Sequence, residues 1–164
     1  MNLKIIFLFI GLVAGLTVSP DLNTIRQNYR EAYDSEKTTK KLFDGLSEVG
    51  KNGSVTVVAY KGAVTTMMSK YAEGFKDKKS FFKEGRELLE YAVEAEPKNV
   101  EIRCIRLSVQ ENVPRITGYR KDIDDDKRFI LDNFKTMTDT GAKAFVKGYI
   151  AQSDAFTDAE KQLF

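Results

Sequence analysis

Histidine is absent from this chain of 164 residues. Without an imidazole there is no Ser-His-Asp or Cys-His catalytic arrangement, no histidine general base and no histidine metal ligand. Zinc sites of the Cys/His kind go with them. Cysteine is nearly absent as well: Cys104 stands alone, so no intramolecular disulfide can form and packing must carry stability. A charge excess is also missing. Twenty-six Lys and Arg face 24 Asp and Glu, for a formal net charge of +2. That balance is too even to point at nucleic acid or an anionic membrane surface.

A long apolar run is the last thing lacking. Met1, Asn2, Leu3 and Lys4 make a short positive start, and residues 5–16 follow as an uncharged apolar run of about 12 residues. A membrane-spanning helix needs about 20 such residues, and Thr17, Ser19, Pro20 and Asp21 arrive before that length is reached. The pattern is that of a cleavable secretory signal over residues 1–19, which predicts an exported protein, periplasmic or extracellular. Thr17 and Ser19 are small enough for a processing site, but Pro20 would follow the cut, so the cleavage position stays open. The alternative is an uncleaved interfacial or short membrane anchor. No cysteine closes the apolar run, so the lipid-attached form of bacterial export signal is missing. Gly11 and Gly15 spell a G-x-x-x-G, which in so short a run carries little meaning.

What is present is an ordinary globule. With 42% hydrophobic and 30% charged residues, the chain is too apolar for disorder and too polar for a membrane protein. Residues 20–164 have the length of one domain, and no Pro-, Gly- or Ser-rich linker divides them.

Apolar spacing predicts an all-α architecture of about seven helices. Pro20 suits a first helical position, and Leu22, Ile25, Tyr29, Ala32 and Tyr33 recur at helical spacing to about Ser35. A second helix is expected over residues 36–49, stopped by the loop Gly50-Lys51-Asn52-Gly53. Residues 54–74 are ambiguous, because Val55, Thr56, Val57 and Val58 favour strand. Val57, Tyr60, Val64, Met67, Tyr71 and Phe75 nevertheless step by three or four, which predicts a helix. Gly74 fits a C-terminal cap with Phe75 folded back on it, and Asp77 or Ser80 would cap the next helix. That helix carries Phe81, Phe82, Leu88, Leu89, Ala92 and Val93 and ends before Pro97. Asn99 caps another, which bears Ile102, Ile105, Val109 and Val113 and ends near Pro114. Further helices hold Ile123, Phe129, Ile130 and Phe134, then Ala142, Phe145, Val146 and Tyr149. Thr157 and Glu160 form a capping-box pattern for a short last helix.

Within residues 83–99, Gly85, Leu89, Ala92 and Pro97 stand four, three and five apart. This resembles the second helix of a tetratricopeptide repeat, in which small residues let paired helices approach and proline ends the pair. The resemblance implies stacked antiparallel helix pairs; no second copy at the repeat period is visible. The run Ala59-Tyr60-Lys61-Gly62-Ala63, the stretch of residues 97–103 with Arg106, Leu107 and Ser108 beyond it, and Gly118-Tyr119 before Asp126-Lys127 are similar to uncharacterised exported helical proteins of bacteria. That likeness implies compartment and fold and brings no activity with it.

Three constellations could carry function. Asp122, Asp124 and Asp126 spell the opening of a calcium loop, yet Lys127 sits where that loop needs glycine and Asn133 where it needs glutamate. They read as acidic residues at a helix N-terminus, favoured by its dipole; no metal site and no cofactor is expected. Arg103, Arg106 and Gln110 share a helix face, and Glu87, Glu90 and Glu94 share another on the preceding helix. Packing those faces together gives inter-helix ion pairs; leaving the arginines free gives a possible partner-binding site for a carboxylate or phosphate. Cys104 lies mid-helix between Arg103 and Ile105. With no histidine to activate it, it reads as a buried inert thiol rather than a nucleophile. The aromatic residues fall on apolar stripes and read as core.

The leading expectation is a non-enzymatic helical scaffold that binds a protein or peptide partner in the cell envelope, with no nucleic acid, and with membrane contact only if the leader is retained. The alternatives are a hydrolase or lyase working through carboxylates and arginines, and a membrane-tethered accessory subunit.

Overall fold

The computed structural model describes residues 21–164. The expected signal segment, its G-x-x-x-G and Pro20 lie outside the described residues. Among those described there are eight α-helices and no strand, one at each of the helical stretches expected from the sequence.

The chain begins with α1 (Leu22–Ala32) and α2 (Glu36–Gly45), capped by Asp21 and Ser35, whose side chains accept from the backbone N–H of Thr24 and Thr38. Helix α2 stops four residues short of the expected end at residue 49. Lys61 explains how the shortened end is held, because its Nζ donates to the carbonyls of Ser47 at 2.7 Å and Val49 at 2.8 Å. Those carbonyls would otherwise lack a helical partner.

Residues 54–74 do form a helix, α3 (Val55–Tyr71), despite the β-branched start. Val58, Ala59, Tyr60, Ala63 and Val64 are all fully buried, so tertiary burial on several sides overrides local strand preference. Gly74 corrects an expectation. It does not cap α3 in a left-handed turn; at φ −98° it is the N-cap of α4 (Phe75–Ala95) and makes no side-chain cap bond. Phe75 does not fold back either: it is 83% exposed. Asp77 lies in the first turn of α4 rather than at its cap, and Ser80 lies inside the helix.

The α3–α4 pair is antiparallel and unusually close. A Cβ on Gly62 would meet Leu89 N at 2.9 Å, while one on Gly85 would meet Thr66 N at 2.6 Å. The register therefore runs in opposite directions, and two glycines are what let the backbones meet.

Asn99 caps α5 (Val100–Asn112), accepting from the N–H groups of Glu101 and Ile102. This helix is buried along almost its whole length and packs on α3, α4, α6 and α7. A short 3-10 turn, Arg115–Thr117, ends at Gly118, whose φ of 64° suits glycine. The turn delivers Tyr119 into the core, and α6 (Ile123–Asn133), α7 (Thr140–Gln152) and α8 (Asp158–Lys161) complete the fold. The capping box of α8 is fully formed: Thr157 accepts from Glu160 N–H, and Glu160 accepts from Thr157 N–H. One apolar core cluster runs from Ile25 to Phe156.

Candidate functional site: two buried ion clusters and a groove

The Asn99 cap sets the phase of α5, and the three-and-four spacing then aligns Arg103, Arg106 and Gln110 on one face, as the sequence indicates. What that face meets is α6. Arg106 grips Asp126 with two bonds of 2.7 Å, from Nε and Nη2, and its Nη1 donates to Glu90 of α4 at 3.0 Å. Arg103 adds a third guanidinium bond to Asp126 at 2.8 Å and lies over the Phe129 ring. Gln110 donates to Asp122 at 3.1 Å, while its Oε1 is buried with no hydrogen-bond partner among the described residues.

The centre of the cluster is closed to solvent, while Glu90, Asp122 and Arg103 at its edge stay partly exposed. Arg106 is 5% exposed, and Gln110 and Asp126 are fully buried. Burial opposes charge on Arg106, but the bonds and charge of Asp126 with the charge of Glu90 outweigh it and hold the guanidinium more firmly protonated than usual. Tyr119 closes the far side, donating to Glu90 at 2.6 Å; burial first, and Glu90 second, push its phenol pKa up. The three residues named from the sequence as possible partner-binding groups are thus brought together, with their donors directed at the chain's own carboxylates. Of the three glutamates expected opposite them only Glu90 takes part; Glu87 lies 3.8 Å from Lys83 and Glu94 is exposed. Asp122, Asp124 and Asp126 do mark the start of α6; Asp126 is fully buried against the arginines, and Asp122 turns partly inward to Gln110.

A second cluster was not legible in the sequence. Arg26 of α1 forks onto Glu101 of α5 at 2.7 and 2.8 Å and reaches Asp139 at 3.1 Å. The Tyr60 hydroxyl of α3 donates to the same Glu101 at 2.7 Å. Arg26 is 5% and Glu101 3% exposed. Asp139 also caps α7; the Ala142 N–H, and then Arg26, hold its carboxyl below the usual range. The available signal was positional: Arg26 lies directly beside Ile25 on the buried stripe of α1, where an unpaired charge would not be tolerated.

Cys104 is fully buried, and burial pushes its thiol pKa well up, so the reactive thiolate is disfavoured. Among the described residues no group of three or more His, Cys, Asp or Glu side chains is placed to hold a metal ion. No described helix is long and apolar enough to cross a membrane.

A groove of about 1810 Å³ is walled by one face of α4 and floored by parts of α1, α3, α5 and α7. Small-molecule pockets typically enclose about 300–1,000 Å³, so this one is sized for a larger occupant. Among the described residues, three of the four exposed large apolar side chains sit on it: Phe75, Ile116 (95% exposed) and Tyr33. Helix α4 contributes Lys78, Lys79, Lys83 and Arg86; Arg30, Lys51, Lys70 and Arg120 come from elsewhere. Of these eight cations only Lys83 has a carboxylate within 4.0 Å among the described residues. The groove's acids are more fully engaged. Glu90 is held by Arg106 and Tyr119, and Glu111 by Tyr149, Ser153 and the Ala155 N–H.

No family model, curated protein or solved structure matches the chain. The site must therefore be read from its own chemistry. The arginines and buried carboxylates are committed to each other, while the groove holds exposed apolar surface and uncompensated positive charge. Sequence reasoning missed it because its walls come from five helices far apart in the chain.

Proposed function

We propose that this chain is an exported helical interaction module, in which stacked helix pairs of tetratricopeptide-like kind present the groove to a protein or peptide partner in the cell envelope. One observation carries the reading: of the four large apolar side chains left in water among the described residues, Phe75, Ile116 and Tyr33 border the same groove, and Leu163 alone lies elsewhere. Clustered exposed apolar groups rimmed by charge mark interaction surfaces rather than random exposure. The groove's size suits a polypeptide, and the close α3–α4 crossing is the kind of small-residue contact on which helix-pair stacks rely.

The carboxylate-dependent hydrolase is the weaker reading, because Glu101 and Asp126 are each gripped by arginine and shielded from solvent.

The test is affinity capture of the full chain from its native envelope, with mass spectrometry of both bait and prey. The expected result is a stoichiometric partner lost in a Phe75→Ala, Ile116→Ala double variant, with a bait cut after residue 19 or 20. Bait recovered intact from the cytoplasm would overturn the export reading. A partner retained undiminished by the double variant would overturn the groove.

A further inference from the structure

The groove's charge names its partner more narrowly. Resting on the interaction-module reading, we infer that the groove takes an acidic polypeptide segment carrying large apolar anchors, with its carboxylates along the N-terminal half of α4.

The first argument is the imbalance. Seven groove cations lack a carboxylate within 4.0 Å among the described residues, against four groove acids, Asp34, Glu94, Glu111 and Asp154, that lack a cation there, and Glu111 is already held by Tyr149, Ser153 and the Ala155 N–H. The second is where the cations sit. Lys76, Lys78 and Lys79 fall within the first five residues of α4, with Asp77 the only acid of its first turn and no side-chain cap at Gly74. A helix N-terminus carries partial positive charge, so lysines there oppose local stability. Local rules broken without a compensating contact inside the fold mark positions kept for something outside it.

The spacing completes the case. Phe75, Lys78, Lys79, Phe82, Lys83 and Arg86 step by three, one, three, one and three along one face of α4, all on the groove wall. That face alternates apolar and cationic contacts at intervals an amphipathic peptide can match. A uniformly charged polyanion fits less well, since it would also meet Glu94, Asp34 and Asp154 and would leave Ile116 without an apolar partner.

The experiment is fluorescence anisotropy on the full chain with labelled peptides of about 15 residues, in which leucines at three-and-four spacing are separated by Glu, Gln or Lys. An oligothymidylate of similar length is run beside them. The Glu peptide should bind at least about tenfold tighter than the Gln version and lose that advantage between about 50 and 300 mM salt. The double variant Lys78→Glu, Lys79→Glu should abolish the preference. It should melt no lower than the parent, because acids suit that helix end. Equal affinity for the Glu and Gln peptides, lost in Phe75→Ala, would overturn the acidic preference while leaving the interaction module standing. Failure of all three peptides would count against the module itself. Tighter binding of oligothymidylate than of the Glu peptide would overturn the polypeptide assignment.

Discussion

Gly85 faces Gly62 across the α3–α4 crossing so closely that a Cβ on Gly85 would lie 2.5 Å from the Gly62 carbonyl oxygen. The obstacle is backbone on both sides, with Thr66 N at 2.6 Å, so no side chain can swing aside to make room.

Gly85→Ala should therefore lower stability by about 1–3 kcal/mol, the range for overpacking a close contact, although alanine is the better helix former. Gly45→Ala is the control, because nothing lies within 4 Å of its Cβ position. There the same exchange should add about 0.5–1 kcal/mol. Urea denaturation of both variants reads the sign directly, and a Gly85→Ala protein at least as stable as the parent would contradict the crossing.

Breaking the Arg26–Glu101 fork should be severe. Each charge is almost fully buried, and removing one partner leaves the other desolvated, at a loss of about 3–5 kcal/mol. Glu101→Ala is expected to behave so in chemical denaturation. Pairing Arg26→Met with Glu101→Leu should recover much of the loss, since no buried lone charge then remains and Asp139 is left exposed to solvent. Equal destabilisation by the single and double changes would show that the pair is not what matters.

Arg106→Ala should destabilise by about 3 kcal/mol, because it strips two bonds from the buried Asp126 and one from Glu90. Arg103→Ala should be milder, about 1–2 kcal/mol, as its side chain is partly exposed and makes one of the three guanidinium bonds to Asp126. Thermal melts separate the two. An Arg106→Ala protein that melts like the parent but loses its partner would instead return these arginines to a binding role.

Alkaline pH should unfold the protein earlier than neutral conditions suggest. Burial raises the phenol pKa of Tyr29, Tyr60, Tyr119 and Tyr149 above the usual 10. Above about pH 10 the unfolded chain has released protons that the folded chain still holds. The tyrosine contribution is therefore complete below that value and falls as pH rises, by about 1.4 kcal/mol per pH unit per tyrosine. Cys104, raised by burial, adds to the same slope from its ordinary value of 9.0. Melting temperature and tyrosinate absorbance followed together should change in one transition; full ionisation of all tyrosines in a still-folded chain would refute the burial.

Much of the fold was readable because helix signals are local. The caps at Asn99 and Thr157 depend on groups two or three residues away. The errors were local as well. Gly74 reads equally as the end of one helix or the start of the next, and the three-residue connection between two closely packed helices selects the second role.

Absence of histidine and a lone cysteine excluded whole chemistries from composition alone, and helical spacing determined where α3, α4 and α5 would form. Spacing also placed Arg103, Arg106 and Gln110 on one face, because three-and-four periodicity is a property of the helix itself. Only the tertiary structure decided that this face meets Asp126 and Asp122 rather than solvent. It alone joined Arg26 to Glu101, 75 residues apart, and left Phe75 and Ile116 beside one groove. The physical reason is that burial and charge pairing depend on which helices pack together, and that choice is made by the whole core at once.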